Sequence, residues 1–134
     1  MFGQAVGIGF EERDARRMFA GSDFLLMPSR FEPCGLAQMY AQRFGSLPIV
    51  HRTGGLADTV EDGVTGFTFG EASARGFSGA IRRAFDTFAQ KKRLNAMRRH
   101  AMSRSFGWDQ AAMNYASLYA RAFGNTAGLR LRAA

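Results

Sequence analysis

Short apolar runs alternate with longer helical patterns along the first half of the chain. The strand-sized apolar runs are residues 5–10, 24–27, 47–51 and 67–69. The segments with apolar positions at helical spacing are residues 11–21, 36–44 and 56–60. Glycines close the first two helical segments, and a Thr-Gly-Gly turn precedes the third. Alternation of strand and helix predicts an α/β fold with a parallel sheet and crossover helices, in which residues 24–27 form a buried strand.

Beyond Gly70 the pattern is helical only. Three apolar stripes have polar residues on their opposite faces, which is typical of helices that pack against a core. The stripes are Phe77, Ile81, Ala84, Phe85 and Phe88; then Leu94, Met97 and Ala101; then Trp108, Ala112, Tyr115 and Tyr119. The last eleven residues, 124–134, have little apolar surface, so we expect a flexible tail.

The composition is that of a folded domain with excess positive charge. With 134 residues and 46% hydrophobic content, the chain suits one modest domain with a packed core. A formal charge of +7 fits nucleic acid, an acidic membrane or phosphorylated small molecules, but the arginines are spread over several helices, as on solvated faces. Because the apolar stretches are far shorter than the ~20 residues of a membrane span, and no leader pattern is visible, we expect a cytoplasmic protein without membrane contact. A single cysteine, Cys34, excludes an internal disulfide and argues against zinc.

Two turns between a strand and a helix carry the candidate chemistry. Their sequences are PSRFEPCGL, residues 28–36, and RTGGLADTV, residues 52–60. The N–H groups at such a helix start attract phosphate, although many unrelated proteins share this arrangement. The letters themselves are more specific, because they closely resemble the C-terminal half of bacterial glycogen synthases and plant starch synthases. These are retaining enzymes that transfer glucose from ADP-glucose to the non-reducing end of an α-1,4-glucan.

The resemblance runs from about residue 7 to residue 123 and implies the later part of the C-terminal domain of a GT-B glycosyltransferase. Residues 1–123 would then form a partial Rossmann-like nucleotide-sugar-binding domain, with helices at its C-terminal end. In this family the glucan acceptor, a catalytic histidine and an Arg/Lys pair on the diphosphate belong to segments that this chain lacks. We therefore expect a fragment that is inactive alone, and an unpaired sheet edge through which it self-associates.

Within the first turn, Glu32 stands where the family has a carboxylate that holds hydroxyls of the donor glucose. A carboxylate only accepts hydrogen bonds and can hold two hydroxyls at once, which would fix the sugar ring for reaction. The alternative is an acidic residue that stabilises a helix N-terminus. Tyr40 stands where the wider group of related transferases has a second carboxylate, and a tyrosine there resembles the glycogen-synthase branch.

The resemblance assigns the donor's nucleotide and phosphates to a second set of residues. These donor-binding residues are Phe10, Cys34, Gly35, Leu36, Thr53, Gly54 and Gly55. Phe10 would stack on adenine. The other residues would face the diphosphate with backbone N–H groups or a hydroxyl and would stabilise the charge that leaves with ADP. Phe10 could equally be a core residue, and the Thr-Gly-Gly turn could be only a tight connection. We expect Cys34 to be a small buried residue without reactive role. The family uses no metal and no cofactor.

Two rival interpretations stay open at this stage. The chain could be a module that binds ADP-glucose without any chemistry. It could instead bind nucleic acid through the basic residues 91–104, KKRLNAMRRHAMSR, although that segment lacks exposed aromatic residues and any base-reading motif. We expect no nucleic-acid partner.

Overall fold

The apolar runs at residues 24–27, 47–51 and 67–69 form one parallel sheet in the computed structural model, which describes residues 6–9 and 11–123. The elements are α1 Glu12–Gly21, β1 Phe24–Met27, α2 Ala37–Phe44, β2 Leu47–His51, α3 Gly54–Thr59, β3 Phe67–Phe69, α4 Ala74–Phe88, α5 Lys91–Ser103 and α6 Trp108–Ala122. The chain divides into two compact units, Met1–Arg104 and Ser105–Ala134, and α6 belongs to the second. All three strands begin and end where the sequence predicts.

The strand order is β1-β2-β3, and both neighbouring pairs are parallel. Met27 pairs with Val50, and His51 pairs with Phe69, so the three strands end at the same edge of the sheet. The loops that follow β1 and β2 therefore emerge side by side. The predicted α/β class and crossover connections are confirmed.

Apolar side chains cover both faces of the sheet. On one face, Leu47, Ile49, Phe67 and Phe69 pack in one cluster with the buried residues of α4 and α5. The stripe on α5 is buried as predicted, with Leu94, Met97 and Ala101 all in this core. On the other face, Val50 packs with Leu56 and Val60 from the α3 region. This packing fixes β2 as the central, fully covered strand.

Helix α2 returns the chain from β1 to β2 and ends at the predicted glycine. Gly45 adopts a left-handed conformation with φ 78°, and its N–H donates to the carbonyl oxygen of Gln42. The N–H of Ser46 donates to the carbonyl oxygen of Ala41, which completes a Schellman-type end. The side chains of Phe44 and Tyr40 lie against Phe19 of α1, with ring centroids 6.3 Å apart in both pairs.

Several expectations about individual segments were wrong. Residues 6–9 form no strand. Phe10 and residues 124–134 lie outside the described residues, so the expectations for them stay predictions. Strand β1 is not buried, because it pairs only with β2 among the described residues and leaves Leu26 54% exposed. Helix α6 has no buried residue, and Trp108 on its predicted apolar stripe is 83% exposed. The Phe85 and Phe88 rings on α4 are also exposed.

The third short helix starts earlier than the sequence suggests. Gly54 and Gly55 belong to the first turn of α3 and do not form a separate turn before it. The helix ends at Thr59.

Among the described residues, no helix is both long and apolar enough to cross a membrane.

Candidate functional site

The loop after β1 and the start of α3 are in direct contact. The N–H of Gly55 donates to the carbonyl oxygen of Glu32 at 3.0 Å. A Cβ atom at Gly54 would lie 2.0 Å from that same oxygen, and one at Gly55 would lie 2.2 Å from the carbonyl oxygen of Cys34. These distances are impossible for a real Cβ, so only glycine at both positions permits this approach. The structure thus brings the two sequence-predicted turns together at one edge of the sheet.

The carboxylate of Glu32 is available to a ligand. Glu32 is half-buried, and its main-chain carbonyl oxygen accepts the hydrogen bond from the N–H of Gly55. The side chain makes no hydrogen bond or ion pair with any residue that the structure describes. Glu32 precedes α2 by several residues and is not the N-cap, which is Leu36. The alternative role of a helix-capping acid therefore has no geometric support.

The segment between Glu32 and α2 presents unpaired backbone N–H groups. Gly35 has a φ of +72°, a conformation that glycine adopts without strain. The N–H groups of Cys34, Gly35 and Leu36 donate to no acceptor in the described part of the chain, whereas the carbonyl oxygens of Cys34 and Gly35 are both bonded. Such free N–H groups at a helix start can receive an anion.

Cys34 itself is exposed, so the expectation of a small buried residue was wrong. Its side chain lies on the surface of the loop, 3.6 Å from the carbonyl oxygen of Gly35. The preceding Pro33 is also exposed, and the loop makes its buried contacts through the main chain instead.

The second turn offers fewer free donors than its sequence suggests. The N–H of Gly55 is used by Glu32, and the N–H of Thr53 donates to the carbonyl oxygen of His51 at 2.9 Å. Within the described residues, the N–H of Gly54 and the hydroxyl of Thr53 have no partner. Gly55 therefore contributes a close approach and a hydrogen bond between the two turns, and not a free N–H group for a ligand.

Two buried glutamines, which the sequence analysis missed, lie beneath the two turns. Gln38 and Gln42 are both fully buried on the inner side of α2. The amide nitrogen of Gln38 lies 3.0 Å from the carbonyl oxygen of Cys34 and 2.9 Å from that of Gly35. The only available signal was their spacing of four residues, which puts both on the face that carries Ala41.

An apolar groove of about 640 Å³ lies between α1 and α2. Its walls include Phe19 from α1 and Leu36, Tyr40 and Phe44 from the α2 segment. Leu36 belongs both to the lining of this groove and to the loop that carries the free N–H groups.

His51 connects the end of β2 to the loop after β1. Its ring nitrogen Nδ1 donates to the carbonyl oxygen of Ser29 at 2.9 Å, which ties the end of β2 to the loop after β1. The carbonyl oxygen can only accept, so the proton is on Nδ1.

A polar cleft of about 450 Å³ lies elsewhere on the first unit, lined in part by Arg52, Asp58, Asp62 and Arg104. Both carboxylate oxygens of Asp62 accept from Arg83, at 3.1 and 2.8 Å, and one also accepts from the N–H of Thr68 at 2.7 Å. Burial acts to raise the pKa of Asp62, but the hydrogen bonds and charge of Arg83 and the Thr68 N–H outweigh it, so this pKa lies below its ordinary value. Among the described residues, no group of three His, Cys, Asp or Glu could hold a metal ion.

Comparison with known proteins shows which family the sequence matches. The family model described as "Glycosyl transferases group 1" matches residues 5–101. The chain is 66% identical to a glycogen synthase of Pseudomonas syringae over 114 residues, and 68% identical to one of Xanthomonas campestris over the same length. Each match covers 85% of this chain and 24% of the relative. The chain thus spans about a quarter of the length of the curated relatives it matches.

Solved structures give the same picture of the fold. The catalytic domain of starch synthase IV from Arabidopsis thaliana, bound to ADP and acarbose, matches with a TM-score of 0.75 and 38% identity, over 87% of this chain and 26% of that one. Sucrose-phosphate synthase from Thermosynechococcus elongatus matches with a TM-score of 0.59 and 27% identity, over 79% of this chain and 27% of that one.

Proposed function

We propose that this chain, which belongs to the glycosyl transferases group 1 family, is the donor-binding part of a glucosyltransferase of the glycogen synthase type. The parent reaction would move glucose from ADP-glucose to the non-reducing end of an α-1,4-glucan with retention. One observation carries the proposal: the two turns that resemble glycogen synthases lie in contact, with free polar groups at the carboxyl edge of a parallel sheet. Ligands of open α/β sheets bind at that edge.

In this proposal Glu32 holds the donor sugar. Its carboxylate has no partner among the described residues, so both oxygens are free to accept sugar hydroxyls. Its main chain is fixed by the hydrogen bond from Gly55, which limits the positions the side chain can reach. A fixed acceptor pair orients the ring so that the anomeric carbon faces the acceptor.

The free backbone donors would bind the diphosphate. The N–H groups of Cys34, Gly35 and Leu36 supply partial positive charge without a counter-charge of their own. The hydroxyl of Thr53 and the N–H of Gly54 supply further donors from the second turn, and Gly55 allows the close approach. Preorganised donors of this kind stabilise the charge that develops on the leaving ADP.

The adenine contact and the choice of nucleotide are parts of the proposal that rest on resemblance. Phe10 is the proposed stacking partner of adenine and lies outside the described residues. ADP-glucose, and not UDP-glucose, is proposed because the relatives are glycogen synthases and a starch synthase.

We expect the chain to bind the donor without transferring glucose to glycogen at rates typical of enzymes, on the order of 1 per second or more. The reason is that the chain spans about a quarter of its relatives' length. The resemblance to glycogen synthases further implies that the glucan acceptor site and a catalytic histidine belong to other segments of the enzyme. Radiolabelled ADP-glucose with glycogen as acceptor tests this expectation, and turnover at enzyme rates would contradict it.

Calorimetric titration of the purified chain with ADP-glucose tests donor binding directly. Glu32→Gln keeps the size of the side chain and removes its charge, so we expect an affinity loss of at least tenfold, because hydrogen bonds to charged groups are worth about 1.5–3 kcal/mol. Glu61→Gln is the matched control, since Glu61 is an exposed carboxylate that precedes β3. UDP-glucose serves as the competing donor. The proposal fails if the wild-type chain does not bind ADP-glucose, or if Glu32→Gln and Glu61→Gln behave alike.

Self-association through the edge of the sheet is a further part of the proposal. Strand β1 pairs only with β2 among the described residues, and Leu26 on it is half exposed. An open, apolar edge is a template for pairing with another chain. Sedimentation velocity over a range of protein concentrations should detect this association, and Leu26→Lys should reduce it.

A further inference from the structure

We propose that Gln38 and Thr59 are positioning residues that hold the loop after β1 against α3 and thereby aim its N–H groups at the donor. This inference rests on the donor role proposed above. Gln38 is fully buried, and its side-chain nitrogen lies within hydrogen-bond distance of three oxygens. They are the carbonyl oxygens of Cys34 at 3.0 Å and Gly35 at 2.9 Å, and the hydroxyl of Thr59 at 3.1 Å.

Thr59 extends this contact to the second turn. Its hydroxyl accepts from Gln38 and donates to the carbonyl oxygen of Gly55 at 2.5 Å. A chain of hydrogen bonds therefore runs from the main chain of residues 34–35, through two side chains, to the main chain of the α3 N-terminus. The direct bond from the Gly55 N–H to the Glu32 oxygen closes the circuit.

The geometry of the peptide bond makes this network directional. In a planar trans peptide the C=O and N–H groups point in opposite directions. The carbonyl of Cys34 shares a peptide unit with the N–H of Gly35, and the carbonyl of Gly35 shares one with the N–H of Leu36. Because Gln38 binds both carbonyls from inside the fold, both N–H groups must point away from it. The buried amide thus sets the direction of two of the free donors in the site.

Packing alone does not account for a glutamine here. The side-chain oxygen of Gln38 has no partner among the described residues and is buried, which is unfavourable. An apolar side chain of similar length would fill the same space without that penalty. What such a side chain would lose is the attachment of the loop.

Gln42 provides a matched control on the same helix. It is as fully buried as Gln38, and its oxygen likewise has no partner among the described residues. Its nitrogen donates to the carbonyl oxygen of Thr59 at 3.1 Å and to no atom of residues 34–36. Gln38→Met and Gln42→Met therefore remove similar side chains from similar surroundings, and only the first releases the loop.

Amide hydrogen exchange of Gly55, measured by NMR on the 134-residue chain, reports the contact without any ligand. After correction for unfolding stability, we expect Gln38→Met to raise this exchange rate about tenfold, which corresponds to about one lost hydrogen bond, and Gln42→Met to leave it unchanged. Thr59→Val should raise the exchange rate of the Gly55 amide as Gln38→Met does. Thr59→Ser retains the hydroxyl and should leave that rate at the wild-type value. If Gln38→Met does not fold, the comparison of Thr59→Val with Thr59→Ser still tests the positioning role. Equal exchange in all variants would overturn the positioning role.

Titration with ADP-glucose separates this inference from the proposed function. Gln38→Met should weaken binding about tenfold relative to Gln42→Met if the loop's N–H groups receive the donor. If the wild-type chain does not bind ADP-glucose, the proposed function is overturned, and so is the role of Gln38 and Thr59 toward the donor. Binding by the wild type with equal affinities in the two variants would overturn only the positioning inference.

Discussion

Replacing Gly55 with alanine should push the two halves of the site apart. The new Cβ would lie 2.2 Å from the carbonyl oxygen of Cys34 and 2.5 Å from its Cα, both main-chain atoms that cannot rotate away. The loop would have to retreat until these distances reach at least the 3.4 Å of ordinary van der Waals contact. The same movement stretches the 3.0 Å hydrogen bond from the Gly55 N–H to Glu32.

The expected cost follows from three terms. Overpacking costs about 1–3 kcal/mol, and the lost hydrogen bond adds about 1 kcal/mol. Alanine in a helix regains up to about 1 kcal/mol over glycine, so Gly55→Ala should lower the free energy of unfolding by about 1–4 kcal/mol. Its φ is not in the left-handed region, so backbone strain adds nothing. We expect the affinity for ADP-glucose to fall on the order of tenfold as well, because displaced donors no longer converge on one ligand.

Urea unfolding and calorimetric titration measure the two effects, with Gly79→Ala as control. Gly79 lies in α4 with open space around it, so alanine there should stabilise the chain by up to about 1 kcal/mol and leave binding unchanged. A Gly55→Ala chain as stable as Gly79→Ala, with wild-type affinity, would refute the direct contact between the two turns.

Three further predictions concern stability. Phe67→Ala should lower the free energy of unfolding by about 3–5 kcal/mol in urea titrations, because the ring is 1% exposed in the core; a loss below about 1 kcal/mol would contradict that placement. Ser73→Ala should cost about 1 kcal/mol, since its hydroxyl accepts from the N–H of Gly76 at the start of α4, and Ser78→Ala in the same helix serves as comparison. The pKa of Asp62 is lowered in the folded state, so its carboxylate adds to the free energy of unfolding when the pH is above its ordinary pKa of 3.8. This stabilisation disappears as the pH falls through the pKa of the folded state. The stability difference between wild type and Asp62→Asn should therefore be seen at neutral pH and vanish in strong acid; a difference that grows in acid would reverse the assigned sign.

The three strands of the sheet could be predicted from the sequence because each has a local signal, whereas the similar run at residues 5–10 gave a wrong prediction for residues 6–9. Each strand is a short apolar run between turn residues, and consecutive strands joined by a helix usually lie parallel and side by side. That placement alone brings the loops after Met27 and His51 to one edge. The position of the candidate site was therefore predictable from the strand ends, without any knowledge of side-chain packing.

Burial that depends on distant main-chain atoms could not be predicted from the sequence. Gly54 and Gly55 indicated a turn because glycine is a poor helix former, yet both belong to α3, where contact with the β1 loop excludes a Cβ. Cys34 was expected inside because cysteine is usually buried, but the loop turns its carbonyl inward and leaves the thiol outside. The stripe on α6 has the spacing of a core helix, and spacing does not reveal what, if anything, covers it.

Gln38 shows why the polar chemistry of the site is the least predictable part. Its partners are two carbonyl groups of the preceding loop and a hydroxyl 21 positions further along the chain, and no residue pattern encodes that meeting. The groups proposed to touch the phosphates are main-chain N–H groups, which every substitution except proline leaves in place. Their direction depends on residues one layer deeper in the fold, such as Gln38. Substitutions that alter donor binding should therefore rank by their contact with the main chain of residues 32–36, and buried residues such as Gln38 should outrank exposed ones such as Cys34.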